Sequence, residues 1–175
     1  IPDFMSNDTN REDALLMLKN RIRALNRLNI SCLAIACNTV HVLLDSLQEV
    51  SYAPFISIID EVVQRIKSDK KRKVGLLAPP STIRYKLYQR ALQKEDIQTV
   101  IPNLKQISIL ERISRNILKG KSSKNDSLRL KKIADSLQKN GAEGIILGCT
   151  ELPLAFPKSY PLPIYSSLEI LANAL

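Results

Sequence analysis

Two cysteines, Cys37 and Cys149, each end a short apolar run and precede polar residues. A shift of 112 positions places residues 25–37 over residues 137–149, so that the two cysteines coincide in an internal repeat. Two thiols on opposite sides of a tetrahedral carbon can exchange the roles of base and acid. One removes a proton from one face while the other delivers a proton to the opposite face. The repeat therefore predicts two related halves that each contribute one cysteine.

Polar residues beside the cysteines are candidates for binding a substrate carboxylate. Asn38 and Thr39 follow Cys37, and Thr150 follows Cys149. Each cysteine is predicted to lie between a strand and a helix, where free backbone amides favour a thiolate and bind anions. As the alternative, these polar side chains only cap helices.

Three other residues near the cysteines have a functional and a structural interpretation. His41, the only histidine, follows Cys37 by one turn and is predicted to border the site, with capping or packing as the alternative. Glu151 either orients Cys149 or only adds negative charge at a helix N-terminus. Cys32 is predicted inside a strand, buried and inert.

The pattern of apolar residues predicts alternating strands and helices. Short apolar runs predict strands at 32–36, 55–59, 74–77, 100–101, 144–148 and 163–165. Amphipathic segments predict helices at 13–28, just beyond Cys37, 61–67, 82–92, 107–118, from a cap at Asp126 or Ser127 to 138, and 167–175. This order is typical of a parallel α/β sheet that binds ligands at the carboxyl ends of its strands.

Several segments carry a resemblance to a known family. Residues 37–41, Cys-Asn-Thr-Val-His, resemble the C-N-T-x-H motif of the aspartate/glutamate racemase superfamily. Residues 148–151, Gly-Cys-Thr-Glu, resemble its G-C-T-E motif, and residues 74–82 resemble the segment that opens its second domain. Lys119 matches a lysine linked to substrate binding in aspartate racemases.

The resemblance implies two Rossmann-like parallel-sheet α/β domains related by pseudo-twofold symmetry, with the active site in the cleft between them. We expect residues 1–72 to form the first domain, residues 73–165 the second, and residues 166–175 a helix that returns to the first. The implied reaction is cofactor-independent racemisation of aspartate, glutamate or a related amino acid, without pyridoxal phosphate or a metal. A homodimer is also implied.

The resemblance assigns roles to the residues that match the motifs. Cys37 and Cys149 are expected to be catalytic, and His41 and Glu151 auxiliary. The expected substrate-binding residues are Asn38, Thr39, Ser81, Thr82, Lys119 and Thr150.

The chain also departs from the family pattern. The family's I-P-D-R segment reads Ile-Pro-Asp-Phe at residues 1–4, and Phe4 cannot pair with a substrate carboxylate as arginine does. Ser166 stands where the family has an aspartate. The family's first strand and G-G-M-G-P loop have no counterpart, and we expect the chain to begin inside a longer protein.

These departures keep other functions open. One alternative is another superfamily reaction, of the maleate isomerase or decarboxylase type. Another is a non-catalytic relative that binds a small acid. Hydrolysis of the cysteine-protease type is disfavoured, because one histidine close behind Cys37 is weak evidence for a triad.

Composition excludes several classes of protein. The net charge is +9, but aromatic residues are only 5% of the chain, and the basic clusters lack a stacking platform for nucleic acid. No apolar run approaches the roughly 18 residues that span a bilayer, and no secretory signal is visible. Three cysteines in neither a zinc nor a disulfide pattern favour reduced thiols and a cytoplasmic location.

Overall fold

The structure, a computed structural model, describes residues 10–175. Phe4, the departure that bears on the substrate, lies outside these residues. The amino-terminal elements are helix α1 (Arg11–Leu25), strand β1 (Leu33–Ala34), a first 3-10 helix (Thr39–Leu43), α2 (Leu44–Gln48), β2 (Phe55–Ile56) and α3 (Ile58–Ser68).

The remaining elements again alternate between strand and helix. They are β3 (Lys73–Leu77), α4 (Pro80–Arg84), α5 (Leu87–Gln93), β4 (Gln98–Val100), α6 (Leu104–Leu118), α7 (Lys124–Lys139), β5 (Ile145–Leu147), a second 3-10 helix (Leu152–Leu154), β6 (Ile164–Ser166) and α8 (Ser167–Ala174).

All strands of the described residues lie in two parallel sheets. Strand β1 pairs with β2, and the larger sheet has the order β4-β3-β5-β6. Leu33 pairs with Phe55 in the first sheet, and Ile145 pairs with Ile164 in the second. Because Leu33 and Ile145 are equivalent positions of the repeat, the same parallel strand pair is built twice. The predicted parallel α/β class is confirmed.

Helices cover both faces of the larger sheet. Successive side chains of a strand point to opposite faces, so Ile146 packs in the core cluster that contains residues of α3, α5 and α8. Its neighbours Ile145 and Leu147 pack in the cluster that contains residues of α6 and α7. Helix α3 precedes position 72 in sequence but shares this core, and α8 packs against it. The division at residues 72 and 165 stays a prediction.

Strand β1 differs from its prediction. Its two residues are half-buried, whereas the sequence predicted a strand buried on both faces. The reason is pairing: within residues 10–175, β1 has only β2 beside it, while the equivalent strand β5 lies between β3 and β6. Cys32 is also half-buried and precedes the strand, so the expectation that it is buried inside a strand was wrong.

Three helices begin or break at positions that the sequence analysis missed. The predicted strand at 55–59 ends at Ile56, because the Ser57 hydroxyl accepts the N–H of Asp60 and starts α3. The predicted helix at 82–92 is divided at Lys86, whose φ of 55° is left-handed. Helix α7 is capped by Ser123, and Asp126 lies at the third helical position.

Candidate active site

Both cysteines lie just beyond the carboxyl ends of equivalent strands. Cys37 follows β1 by three residues, and Cys149 follows β5 by two. Each is followed by a 3-10 helix rather than by the α-helix that the sequence predicted. The parallel sheets therefore present each thiol at the edge where α/β proteins bind ligands.

Cys149 is enclosed by polar partners in an apolar core. It is 3% exposed, and its thiol donates to Oε2 of Glu151 at 2.9 Å. Its sulfur also lies 3.4 Å from the hydroxyl of Ser114 in α6. Burial raises the pKa of Cys149 far above its ordinary value, and the charge of Glu151 raises it further, whereas Ser114 and the Glu151 amide lower it by less. These surroundings therefore favour the thiol form of Cys149.

Glu151 has a second local partner. Its Oε1 accepts a hydrogen bond from the hydroxyl of Thr150 at 3.0 Å. One carboxylate oxygen thus faces Thr150 and the other faces Cys149. Both residues that follow Cys149 are half-buried and join in one hydrogen-bonded cluster with it.

Cys37 is half-buried and contacts backbone amides. The amides of Val40 and Thr39 bind its sulfur and lower its pKa, but burial is the larger effect and raises the pKa above its ordinary value. The negative charge of Glu151 raises it as well, which places that carboxylate near both thiols. The expectation that the amides make these thiols acidic was wrong in its net direction, because desolvation outweighs them.

The residues after Cys37 connect the two sheets. Asn38 is 2% exposed, and its Nδ2 donates to the hydroxyl of Ser167 at 3.0 Å while its Oδ1 accepts from the hydroxyl of Tyr88. The hydroxyls of Thr39 and Thr82 lie 2.9 Å apart. The loop after β1 is therefore hydrogen-bonded to α4, α5 and α8.

His41 uses both ring nitrogens in backbone hydrogen bonds. Its Nε2 accepts the N–H of Ile58 at 3.1 Å, so Nδ1 carries the proton and donates to the carbonyl of Cys37 at 2.9 Å. Burial lowers the pKa of His41, which keeps the imidazole neutral. His41 thus ties the backbone of Cys37 to the first amide of α3.

The other residues singled out from the sequence lie in three different elements of the structure. Ser81 is fully buried at the start of α4, beside Thr82. Lys119 is exposed at the end of α6, about 8 Å along the helix axis from Ser114. Ser166 is 5% exposed at the end of β6, and its hydroxyl has no hydrogen-bond partner among the described residues.

Sequence reasoning missed three residues that contact this site. Ser114, Tyr88 and Ser167 bind Cys149 or Asn38 through side-chain hydroxyls. Each lies in a helix whose local pattern shows only an amphipathic element. No local signal identifies them, because their partners are 35 to 129 positions away in the chain.

Two other kinds of site are absent from residues 10–175. Across that range, no helix is both long and apolar enough to cross a membrane. In the same part of the chain, no three or more His, Cys, Asp or Glu side chains are grouped as metal ligands would be.

A parallel α/β fold with one cysteine at the equivalent strand end of each repeat defines the class of this protein as a two-thiol α/β protein. Within that class, the chain belongs to the Asp/Glu/Hydantoin racemase family, whose sequence model matches residues 1–175. The resemblance drawn from the two cysteine motifs is thereby confirmed.

Relatives in sequence and structure carry related names. A glutamate racemase from Lysinibacillus sphaericus is 32% identical over 137 residues, covering 75% of this chain and 49% of that protein. A glutamate racemase from Sulfurihydrogenibium sp. is 28% identical, covering 84% and 55%. The chain therefore spans about half the length of these two relatives.

Solved structures agree with the fold over nearly the whole chain. An aspartate racemase homologue from Pyrococcus horikoshii OT3 has a TM-score of 0.81 at 32% identity, covering 98% of this chain and 76% of that one. The aspartate racemase of Picrophilus torridus has a TM-score of 0.83 at 25% identity, covering 99% and 73%.

Proposed function

We propose that this chain forms the catalytic part of a cofactor-independent amino-acid racemase in which Cys37 and Cys149 are the two acid–base groups. The observation that carries the proposal is the equivalence of the two thiols: each follows the same strand of a repeated parallel pair. Racemisation needs a proton acceptor on one face of Cα and a proton donor on the other. Two equivalent thiols supply that pair.

The surroundings of the thiols support different roles in the first half-reaction. Cys149 is a thiol that donates a hydrogen bond to Glu151, which suits it to be the acid. The amides of Thr39 and Val40 point at the sulfur of Cys37, which suits it to be the base once it is ionised. As Cys37 takes the Cα proton, Cys149 returns one to the opposite face, and the two exchange protonation states.

An amino-acid substrate would itself help to create the thiolate. Burial raises the pKa of both thiols. The ammonium group of a bound amino acid brings a positive charge next to them, and an opposite charge in a desolvated cleft favours the ionised form of a thiol. The base is thus generated where the substrate is bound.

The proposed substrate is aspartate, glutamate or a related amino acid. The relatives named above are aspartate and glutamate racemases, and the net charge of +9 favours an acidic ligand. The backbone amide of Thr150 and the ammonium group of Lys119 are proposed to contact its carboxylates, because the Thr150 hydroxyl already donates to Glu151. Asn38 and Thr39 are proposed to contact the substrate through backbone groups, because their side chains already have protein partners.

The test follows hydrogen exchange at Cα in the full-length protein. L- and D-aspartate and L- and D-glutamate are incubated separately in D2O, and loss of the Cα proton signal is measured together with formation of the opposite enantiomer. We expect exchange and inversion in the wild type, and loss of inversion in Cys37→Ser and in Cys149→Ser. Cys32→Ser is the matched control and should keep wild-type rates.

Three results would contradict the proposal. Undiminished inversion in both Cys37→Ser and Cys149→Ser would exclude the two-thiol mechanism. A product other than the mirror image would indicate the isomerase or decarboxylase alternative. Binding of the amino acids without any exchange of Cα hydrogen would indicate a non-catalytic relative.

A further inference from the structure

Tyr88 connects the segments that carry the two cysteines. It lies in α5 and is fully buried. Its hydroxyl donates to Oδ1 of Asn38, the residue that follows Cys37. Asn38 is held from its other side by Ser167, so that the amide has a partner for each polar end.

The ring of Tyr88 packs against the segment of the other cysteine. A Cβ atom at Gly148, the residue before Cys149, would lie 3.1 Å from Cε2 of Tyr88 and 3.0 Å from Cδ1 of Leu76. Such contacts are closer than carbon atoms normally approach. Glycine at position 148 therefore allows the end of β5 to lie directly on the ring.

Helix α5 owes its placement to the backbone of Lys86. The left-handed conformation of Lys86 ends the path of α4 and starts α5 in a new direction. A non-glycine residue is strained in this conformation, and the packing of Tyr88 two residues later helps to offset that strain. The fold thus places the ring between the two cysteine segments. Helix propensity alone does not predict this placement.

We propose that Tyr88 is a positioning residue that sets the separation of Cys37 and Cys149 by spanning from Gly148 to Asn38. The inference rests on the proposed two-thiol racemase function. Asn38, Tyr88 and Ser167 are each at most 2% exposed, so protein atoms surround this connection on all sides. Asn38 acts in it as the link to Cys37 and not as a substrate ligand.

The separation of the thiols matters because both must reach one carbon from opposite faces. Reacting atoms need to approach within about 3–3.5 Å, and a misplacement of about 1 Å can cost roughly 100-fold in rate. Tyr88 itself does not touch the substrate in this arrangement. Its loss should therefore lower kcat and leave KM nearly unchanged.

Two variants of the full-length protein separate the hydroxyl from the ring. Tyr88→Phe keeps the ring and removes the bond to Asn38, and kcat should fall about tenfold with KM within about twofold. Tyr88→Leu also removes the ring, and kcat should fall about 100-fold. Tyr88→Phe is the conservative variant and should retain more activity than Tyr88→Leu.

Tyr165→Phe is the matched control. Tyr165 is also buried, its ring packs on a glycine of the β5 segment, Gly144, and its hydroxyl donates to Asp69 at 3.0 Å. It differs in that its hydroxyl is bonded to the residue that follows α3, and neither Asp69 nor Gly144 adjoins a cysteine in the chain. Its kcat should stay at the wild-type value.

A second readout does not depend on racemase activity. In a Cys32→Ser background, bifunctional methanethiosulfonates of graded length bridge Cys37 to Cys149, and the spacer that reacts fastest reports the distance between the sulfurs. We expect the preferred spacer to change in Tyr88→Leu and to stay the same in Tyr165→Phe. If the wild type lacked racemase activity while the spacer still changed, the proposed function would fail and the role of Tyr88 would stand.

Two results together would overturn the inference. Folded Tyr88→Phe and Tyr88→Leu proteins with wild-type kcat and the wild-type preferred spacer would show that the thiols are held apart by other contacts. If Tyr88→Leu failed to fold, Tyr88→Phe would decide the question by the same two measurements.

Discussion

Alkaline pH is expected to destabilise this protein through its buried thiols, most clearly through Cys149. Folding raises the pKa of that thiol, chiefly by burial and then by Glu151, above its ordinary value of 9.0. In the unfolded chain the same thiol ionises near that ordinary value. A group whose pKa is raised by folding contributes its full stability below the unfolded pKa, and the contribution is lost as the pH rises above it.

The size of the effect follows from proton linkage. A thiol that stays protonated when folded and is ionised when unfolded costs about 1.4 kcal/mol per pH unit. With an unfolded pKa of 9.0, Cys149 accounts for a loss of about 1.4 kcal/mol in the free energy of unfolding between about pH 8 and pH 10. Cys149→Ser removes this loss, because serine does not titrate in that range.

Urea unfolding at the two pH values, with a reductant and constant ionic strength, measures the difference. The wild type should lose about 1.4 kcal/mol more than Cys149→Ser. Cys32→Ser controls for removing one thiol from the chain without touching the site. Equal losses in the wild type and in Cys149→Ser would mean that the folded protein accepts a thiolate at position 149, and the role of Cys149 as the resting acid would be refuted.

Four further substitutions test other features of the structure. Glu151→Gln should speed alkylation of Cys149 by iodoacetamide about tenfold, because the charge that holds the thiol proton is removed; an unchanged rate would contradict this contact. His41→Ala should lower the free energy of unfolding by about 1–3 kcal/mol, because a buried backbone amide and a partly buried backbone carbonyl lose their partner. Since burial lowers the pKa of His41, the free energy of unfolding of the wild type, measured in urea, should also decrease as the pH falls below 6.5. The decrease should be smaller in His41→Ala. Lys70→Gly should add about 1 kcal/mol to the free energy of unfolding, or about 2–4 °C to Tm, because Lys70, two residues after α3, has a φ of 54°. Gly120→Lys, at a φ of 66° after α6, should lower Tm by a similar amount.

The sequence predicted the elements whose pattern is complete within a few neighbours. Strand β3 and helix α6 were located because buried strands and amphipathic helices have a local period. The break at Lys86 and the early start of α3 at Ser57 were missed. A left-handed lysine and a serine cap are single-residue features that no periodic pattern predicts. Each depends on how the next element packs.

The sequence predicted those residues of the candidate site that adjoin the two cysteines in the chain. The repeat placed Cys37 and Cys149 at equivalent strand ends, and the motifs around them identified the family. The sequence also led to a wrong expectation about thiol acidity. Helix-end amides are visible in a sequence, but the desolvation that outweighs them depends on which residues of α6 and α7 cover Cys149.

The amino-acid sequence by itself determined the parallel α/β class, the repeat and the chemistry available at two cysteines, because these depend on residue type and order. Only the tertiary structure decided the protonation of Cys149, the structural hydrogen bonds of His41 and the span of Tyr88. Those properties arise from contacts between segments far apart in the chain. Burial and distance, which set pKa and geometry, exist only after the segments have packed together.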